Sequence, residues 1–524
     1  NGLYCVQEYH PPEVDGKAPE SINTLVYLSL DNRAIYTIAS GSDFYASPFV
    51  STDGKSIAWV QWNHPNMPWD TTEIICASLE NGCLVSGTEN KVACKQDVSY
   101  SKPTFDPSGV LHYISDETNW WNIYRMNSDK TSENVYPIST ELGDPHWIFA
   151  NHCYAIDPEG SGKMVIRLQC KELGLLDSKT GAYRKLDTGR IVHTHLVYSA
   201  DQKLYCFAGA PNQHAAVICY DLTSDKCLTI RQASDSELDQ DYVSIPEHIS
   251  FPTSPDSGDA VAYGYYYAPK NPNFTAPAGE LPPLLVMVHG GPTGSTFPLF
   301  DLKKAYYTSR GFGILDVNYR GSTGYGRAYR MLLRKQWGAY DVDDTCAGAK
   351  YLVQQQKADP RRLCITGGSA GGYAVLAALT FKDTFAVGAS HYGVSDLILL
   401  EEETHKFEAK YNHSLLGPWP EAKSVYEQRS PINSAHKLTT PVIFFQGTHD
   451  KVVPLNQAER MFSILKNNNI ATALVIFEGE GHGFRKAENI QTAVDGEYYF
   501  FCTLLGIPCP IDMSEKIQIL NLKK

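Results

Sequence analysis

RLCITGGSAGGYAVLAALT, residues 362–380, reads as a short apolar strand, a run of small residues around one serine, and an apolar helix. The strand LCIT ends in Gly367-Gly368-Ser369-Ala370-Gly371, which satisfies G-x-S-x-G, and the helix starts directly behind it. A turn this sharp lifts Ser369 to its apex, and small neighbours let backbone pass close on both sides. The helix amino terminus behind the serine offers positive potential to an oxyanion forming there. The stretch therefore predicts a nucleophile at Ser369, carried on a strand-to-helix turn.

Outward from it, the same rhythm recurs. PLLVMVHG (283–290), GILDVNYRG (313–321), AVGASHYG (386–393), PVIFFQGTHD (441–450) and ALVIFEGEGH (473–482) are apolar runs that end in Gly-rich or polar loops. Between them lie helical patterns such as DVDDTCAGAKYLVQQQ (341–356) and NQAERMFSILKNN (456–468). Strands apolar on both faces and alternating with helices predict a doubly wound, mostly parallel sheet. With the serine turn, this is the α/β-hydrolase fold. Ligands of such sheets bind beyond the carboxyl ends of the strands, so the loops closing these runs are where chemistry is expected.

Serine attacks a carbonyl only when a base takes its proton and an acid holds that base. In this fold the chain order is serine, acid, histidine. Asp450 closes PVIFFQGTHD, and His482 follows ALVIFEGEG with Gly481 and Gly483 on either side. Ser369, Asp450 and His482 are the expected catalytic residues. Asp396 and Glu478 are rival acids, and His449, His405 and His391 rival bases. The oxyanion needs two donors: the N–H of Ala370, directly after the nucleophile, and an N–H from His289-Gly290-Gly291-Pro292, for which Gly291 is the expected residue.

The first half has another rhythm. SPFVSTDGKSIAWVQW (47–62), KPTFDPSGVLHYISD (102–116) and ELGLLDSKTGAYRKLD (172–187) are alternating apolar, β-branched and aromatic residues around Asp-Gly and similar turns. Antiparallel strands recurring every 40 to 50 residues match the period of a propeller blade. The count predicts five or six blades, with a blade or part of one lying upstream of Asn1. A β-sandwich with long loops is the alternative. The expected division is a β-propeller over 1–255 and the α/β-hydrolase domain over 256–524.

Composition bounds the function. With 43% hydrophobic and 20% charged residues, the 524-residue chain is that of a folded protein of two or more domains. A net charge of −13 argues against nucleic-acid binding, which needs clustered Lys and Arg. No apolar run approaches the ~18 residues of a membrane span. Thirteen cysteines, an odd number, mostly in apolar stretches, favour a reducing interior and hence a cytoplasmic protein. Because the chain starts at Asn1, secretion stays open, and the sequons at Asn273 and Asn412 matter only in that case. No C-x-x-C pair supports structural zinc.

Longer segments carry a resemblance. VHGGPTG, VNYRGSTGYGR, QWGAYDVDD, GGSAGGYAVLAAL, SHYGVSDL, THKFE, FFQGTHDKVVP and GHGFRKAENI resemble the prolyl oligopeptidase family, on its acylaminoacyl-peptidase or dipeptidyl-aminopeptidase side. HPNMPWD and SDETNWWNIYRMN resemble that branch's propeller. The resemblance implies a propeller capping the hydrolase domain, a site between them and short peptide substrates. It places Ser369, Asp450 and His482 on the triad and Gly291 and Ala370 on the oxyanion donors. It puts Val394, Leu397 and Leu400, with Tyr373, in the substrate pocket. Two features depart from it: no propeller Glu pair for clamping a free amino terminus is evident, and Val452 stands where some relatives carry Asn or Arg. The aromatic loops 62–69 and 120–121 would either overhang the site or pack between blades. Tyr319, Arg320, Tyr325 and Arg327 would either hold substrate or form structural ion pairs.

The expected function is a serine peptidase of short peptides that works through an acyl-enzyme, with no metal or organic cofactor. Nucleic acid and membrane are not expected partners, and a homo-oligomer is left open. An esterase or other acyl hydrolase on the same scaffold, or a non-catalytic propeller binding protein, are the alternatives.

Overall fold

The computed structural model describes residues 2–13, 19–253 and 260–522. The first part consists of five antiparallel sheets, over 2–39, 44–93, 100–134, 154–186 and 192–232. They are the blades of the propeller. Their hairpins are closed by a recurring device: an Asp whose side chain accepts the N–H two residues on. Asp53 takes the N–H of Lys55, Asp106 that of Ser108, Asp157 that of Glu159, and Asp221 that of Thr223, at 2.8–3.1 Å. This local bond substitutes for a backbone turn bond, so Asp sets the turn and the flanking period-2 pattern sets the pairing.

The second part is one eight-stranded sheet. By first residue, its strands run 247, 261, 313, 284, 363, 387, 442 and 472 across the sheet. The strand Val261–Tyr267 is antiparallel to both neighbours, and the six beyond it are mutually parallel. Alternate residues feed opposite cores. Val286, Val288, Ile365 and Phe444 pack with the helices Tyr340–Gln354, Ala370–Phe381 and Leu455–Asn467. Leu285, Cys364, Ala389 and Ile443 pack with Leu302–Thr308 and Ala487–Leu505. Apolar residues at every strand position are what a sheet covered on both faces requires.

The division expected at 255/256 lies outside the described residues. The strand Glu247–Pro252, counted in the sequence with the propeller, pairs instead with Val261–Tyr267 at the edge of the hydrolase sheet. EHISFP alternates as the propeller strands do, and a period of two does not specify which sheet a strand will join.

All thirteen cysteines are free thiols. No helix among the described residues is long and apolar enough to cross a membrane. Asn412 is buried and donates from Nδ2 to Glu401, so its sequon cannot present a glycan without local opening.

Charge locks the two parts together. Asp116 of the propeller, with a fully buried side chain, accepts from Arg327 Nη1 at 2.7 Å and from Arg330 Nη2, both of the hydrolase domain. Arg330 also lies over the Trp121 ring at 4.1 Å. Glu141 bridges the seam too, accepting from Trp121 N at 2.6 Å and Gly326 N at 3.2 Å. Removing one partner of a buried ion pair leaves an uncompensated charge. Asp116→Asn is therefore expected to cost about 3–5 kcal/mol, read as a lower denaturant midpoint. A midpoint shift equivalent to less than about 1 kcal/mol would mean that solvent reaches the seam.

Candidate active site

The strand Leu363–Gly368 delivers the chain to Ser369, which takes φ 58° and ψ −123° before the helix Ala370–Phe381 begins. A serine at positive φ is strained and persists only where its surroundings hold it. Ser369 N donates to His391 O at 3.0 Å, and its carbonyl accepts Tyr373 N at 2.9 Å. The turn also needs Gly371: a Cβ there would stand 2.1 Å from Val288 O.

At the ends of the next strands stand Asp450 and His482. Asp450 has no exposed side-chain surface. Its Oδ2 accepts His482 Nδ1 at 2.8 Å and Gln446 Nε2 at 3.2 Å, and its Oδ1 accepts Val452 N and Val453 N at 2.9 and 2.8 Å. Four donors fix the carboxylate, which in turn fixes the imidazole so that Nε2 is the ring nitrogen left for the reaction. The Tyr392 ring meets the His482 ring edge-on, with centroids 4.9 Å apart. Glu480 secures the loop carrying the histidine by accepting the N–H groups of Arg485 and Lys486 and Asn489 Nδ2, at 2.8–2.9 Å.

Gly291, at φ 126°, lies with Ser369 and Ala370 in the wall of one pocket. The segment after it is tied down from three sides. Tyr319 Oη donates to Pro292 O at 2.9 Å, Thr293 N donates to Tyr411 Oη at 2.9 Å, and Trp147 Nε1 of the propeller donates to Thr293 O at 2.7 Å. A Cβ on Gly291 would meet Thr293 N at 2.7 Å. Gly291→Ala must therefore shift this backbone, and kcat is expected to fall about 100- to 1,000-fold, as for loss of one oxyanion donor. Unchanged kcat in steady-state assays would exclude Gly291 from that role. Burial pushes the nearby His289 down to about 4, so it is a neutral structural imidazole.

The pocket beside Ser369 holds about 30 Å³ and includes Trp337, Val394, Leu400, Tyr411, Val452 and Val453 in its wall. Of the expected substrate residues, Val394 and Leu400 line it; Leu397 and Tyr373 do not. Leu397 is wholly buried in the hydrolase core. Tyr373, also wholly buried, donates to Arg429 O at 3.0 Å and lies against Trp337. Val394 precedes the helix Leu397–Glu403, and sequence order does not show that Leu397 turns into the core while Leu400 reaches the pocket.

Three of the five rival residues have other partners. Asp396 caps the helix Leu397–Glu403 and pairs with Arg460. His391 pairs with the buried Glu497, and His405 with Glu408. Arg320 is bidentate on buried Asp344, and Arg327 serves the domain seam, so both are structural. Trp62, Trp69 and Trp121 are buried rather than overhanging.

Sequence reasoning assigned no role to Trp337, Thr404, Glu408, Tyr411 or Tyr392, although THKFE was a visible signal. Thr404, Glu408 and Tyr411 come from one segment, 404–411, and Trp337 and Tyr392 from two others that only the folded chain gathers.

Comparisons with known proteins point to one family. A profile of the prolyl oligopeptidase family matches residues 298–507. A solved structure of a Mycobacterium tuberculosis puromycin-hydrolyzing peptidase is 37% identical, with a TM-score of 0.92, covering 97% of this chain and 78% of that one. A puromycin hydrolase is 31% identical with a TM-score of 0.91, covering 98% of this chain and 78% of that one. Dipeptidyl aminopeptidase BIII of Pseudoxanthomonas mexicana is 31% identical over 247 residues, 46% of this chain and 34% of that protein. The matched stretch spans about a third of the length of such curated relatives.

Proposed function

The chain belongs to the prolyl oligopeptidase family, and from that premise we propose that it is a serine peptidase hydrolysing short peptides through Ser369, His482 and Asp450. His482 Nε2 takes the Ser369 Oγ proton as Oγ attacks the scissile carbonyl. The N–H groups of Gly291 and Ala370 receive the oxyanion. His482 then protonates the leaving amine, which departs and leaves an acyl-enzyme. Water repeats the sequence, releasing the acid and restoring Ser369. Asp450 holds the imidazole and its developing charge throughout. None of these steps requires a metal or organic cofactor.

The observation that carries this reading is the 2.8 Å bond from His482 Nδ1 to a buried, fully bonded Asp450, at the same end of the sheet as the strained Ser369. The propeller, whose Trp147 bonds the segment after Gly291, supports a preference for short peptides, and thirteen free thiols suit a reducing compartment such as the cytoplasm.

The test is hydrolysis of matched peptide anilides with the amino terminus free or acetylated. Cleavage of anilides by the folded protein is expected. Turnover of aryl esters with no anilide cleavage would replace the peptidase reading with an esterase.

A further inference from the structure

Glu408 is the one charged side chain among the described residues lining the pocket beside Ser369. Its carboxylate is 18% exposed, and the cation recorded against it is the half-exposed His405, Nε2 to Oε2 at 3.3 Å. Lys406 is committed elsewhere, donating from Nζ to the propeller carbonyls of Ser21 and Asp43 at 2.7 and 3.0 Å. In the same wall, the Thr404 Oγ1 is buried without a hydrogen-bond partner in the protein. The other nearby acid, Glu401, is saturated by Asn412 Nδ2 and His413 Nε2.

A carboxylate and an unpaired hydroxyl set in a largely apolar wall are costly unless something pairs with them. Both can accept. A primary ammonium carries three donors and no acceptor, and so complements them. We propose that Glu408, with Thr404, binds a primary ammonium group of the substrate in the nucleophile's own pocket. This rests on the peptidase reading and deepens it, because it assigns the recognition of a cationic substrate to the hydrolase domain. The group has two chemical sources: the free α-amino terminus and a lysyl side chain. A cavity of about 30 Å³ suits the compact α-ammonium better than a four-carbon stem.

The experiment compares kcat/KM for leucine and alanyl-leucine anilides, each with the amino group free or acetylated, and for acetyl-lysine against acetyl-norleucine anilide. Wild type, Glu408→Gln and Thr404→Val are assayed. Glu408→Gln is expected to reduce the preference for the free amino group about 10- to 100-fold, the range of a charge-assisted hydrogen bond, while acetylated substrates change less than about threefold. Thr404→Val is expected to move the same ratio by a smaller factor. A fall confined to the lysine-over-norleucine ratio supports the ammonium site with the side chain as its source. Both ratios unchanged in Glu408→Gln overturn the proposal. Calorimetry of leucine amide against acetyl-leucine amide on Ser369→Ala protein, with and without Glu408→Gln, reads the same site without turnover. Equal binding of the amide with and without Glu408→Gln also overturns it. Absence of anilide cleavage by folded wild type defeats the peptidase reading instead.

Discussion

Ser369→Ala is expected to abolish peptide-anilide turnover, with kcat falling about a million-fold while KM and the unfolding transition stay close to wild type. The magnitude follows from what the hydroxyl does. Without Oγ no acyl-enzyme forms, and the remaining rate is that of water assisted by the oxyanion donors and by binding alone. The strained φ of 58° belongs to the backbone and is shared by the alanine, so the substitution leaves the turn in place. Stopped assays with high enzyme concentration would detect the residual rate. A loss smaller than about a hundredfold would mean that another group attacks the carbonyl and would remove Ser369 from the mechanism.

Asp450→Asn is expected to lower kcat about ten-thousand-fold with the fold retained. The orientation of the new amide is dictated by its neighbours. Oδ1 of the native carboxylate takes two backbone N–H groups, from Val452 and Val453, so the amide oxygen must remain there. The NH2 then faces His482 Nδ1 and Gln446 Nε2, both of which now meet a donor. Nδ1 can bond that amide only by giving up its proton, which places the proton on Nε2. An Nε2–H imidazole cannot accept the serine proton. Loss of kcat beside little change in KM is the signature of this tautomer exchange, and a loss below about tenfold would show that Asp450 does not set it.

The catalytic half was legible because two signals coincide there. Short apolar runs closed by Gly-rich loops alternate there with longer helical patterns, and the G-x-S-x-G turn has a steric reason for each small residue. The pairing of Asp450 with His482 could be expected because they follow successive strands of a parallel sheet, which bring their loops to one end. The pocket was only half legible. Val394 and Leu400 line it while Leu397 is buried in the core, a difference set by how the segment packs and not by residue type or spacing. Glu408 and Thr404 reach the site through a loop and a short helix that packing alone orients. The strand Glu247–Pro252 was assigned to the wrong sheet because alternation identifies a strand without naming its partner.

The bond from Trp147 Nε1 to Thr293 O runs from the propeller to the segment just after Gly291. The propeller therefore braces the segment that carries Gly291, the proposed oxyanion donor. A hydrolase domain fused to a foreign propeller would keep Ser369, Asp450 and His482 but lose this brace on the segment after Gly291.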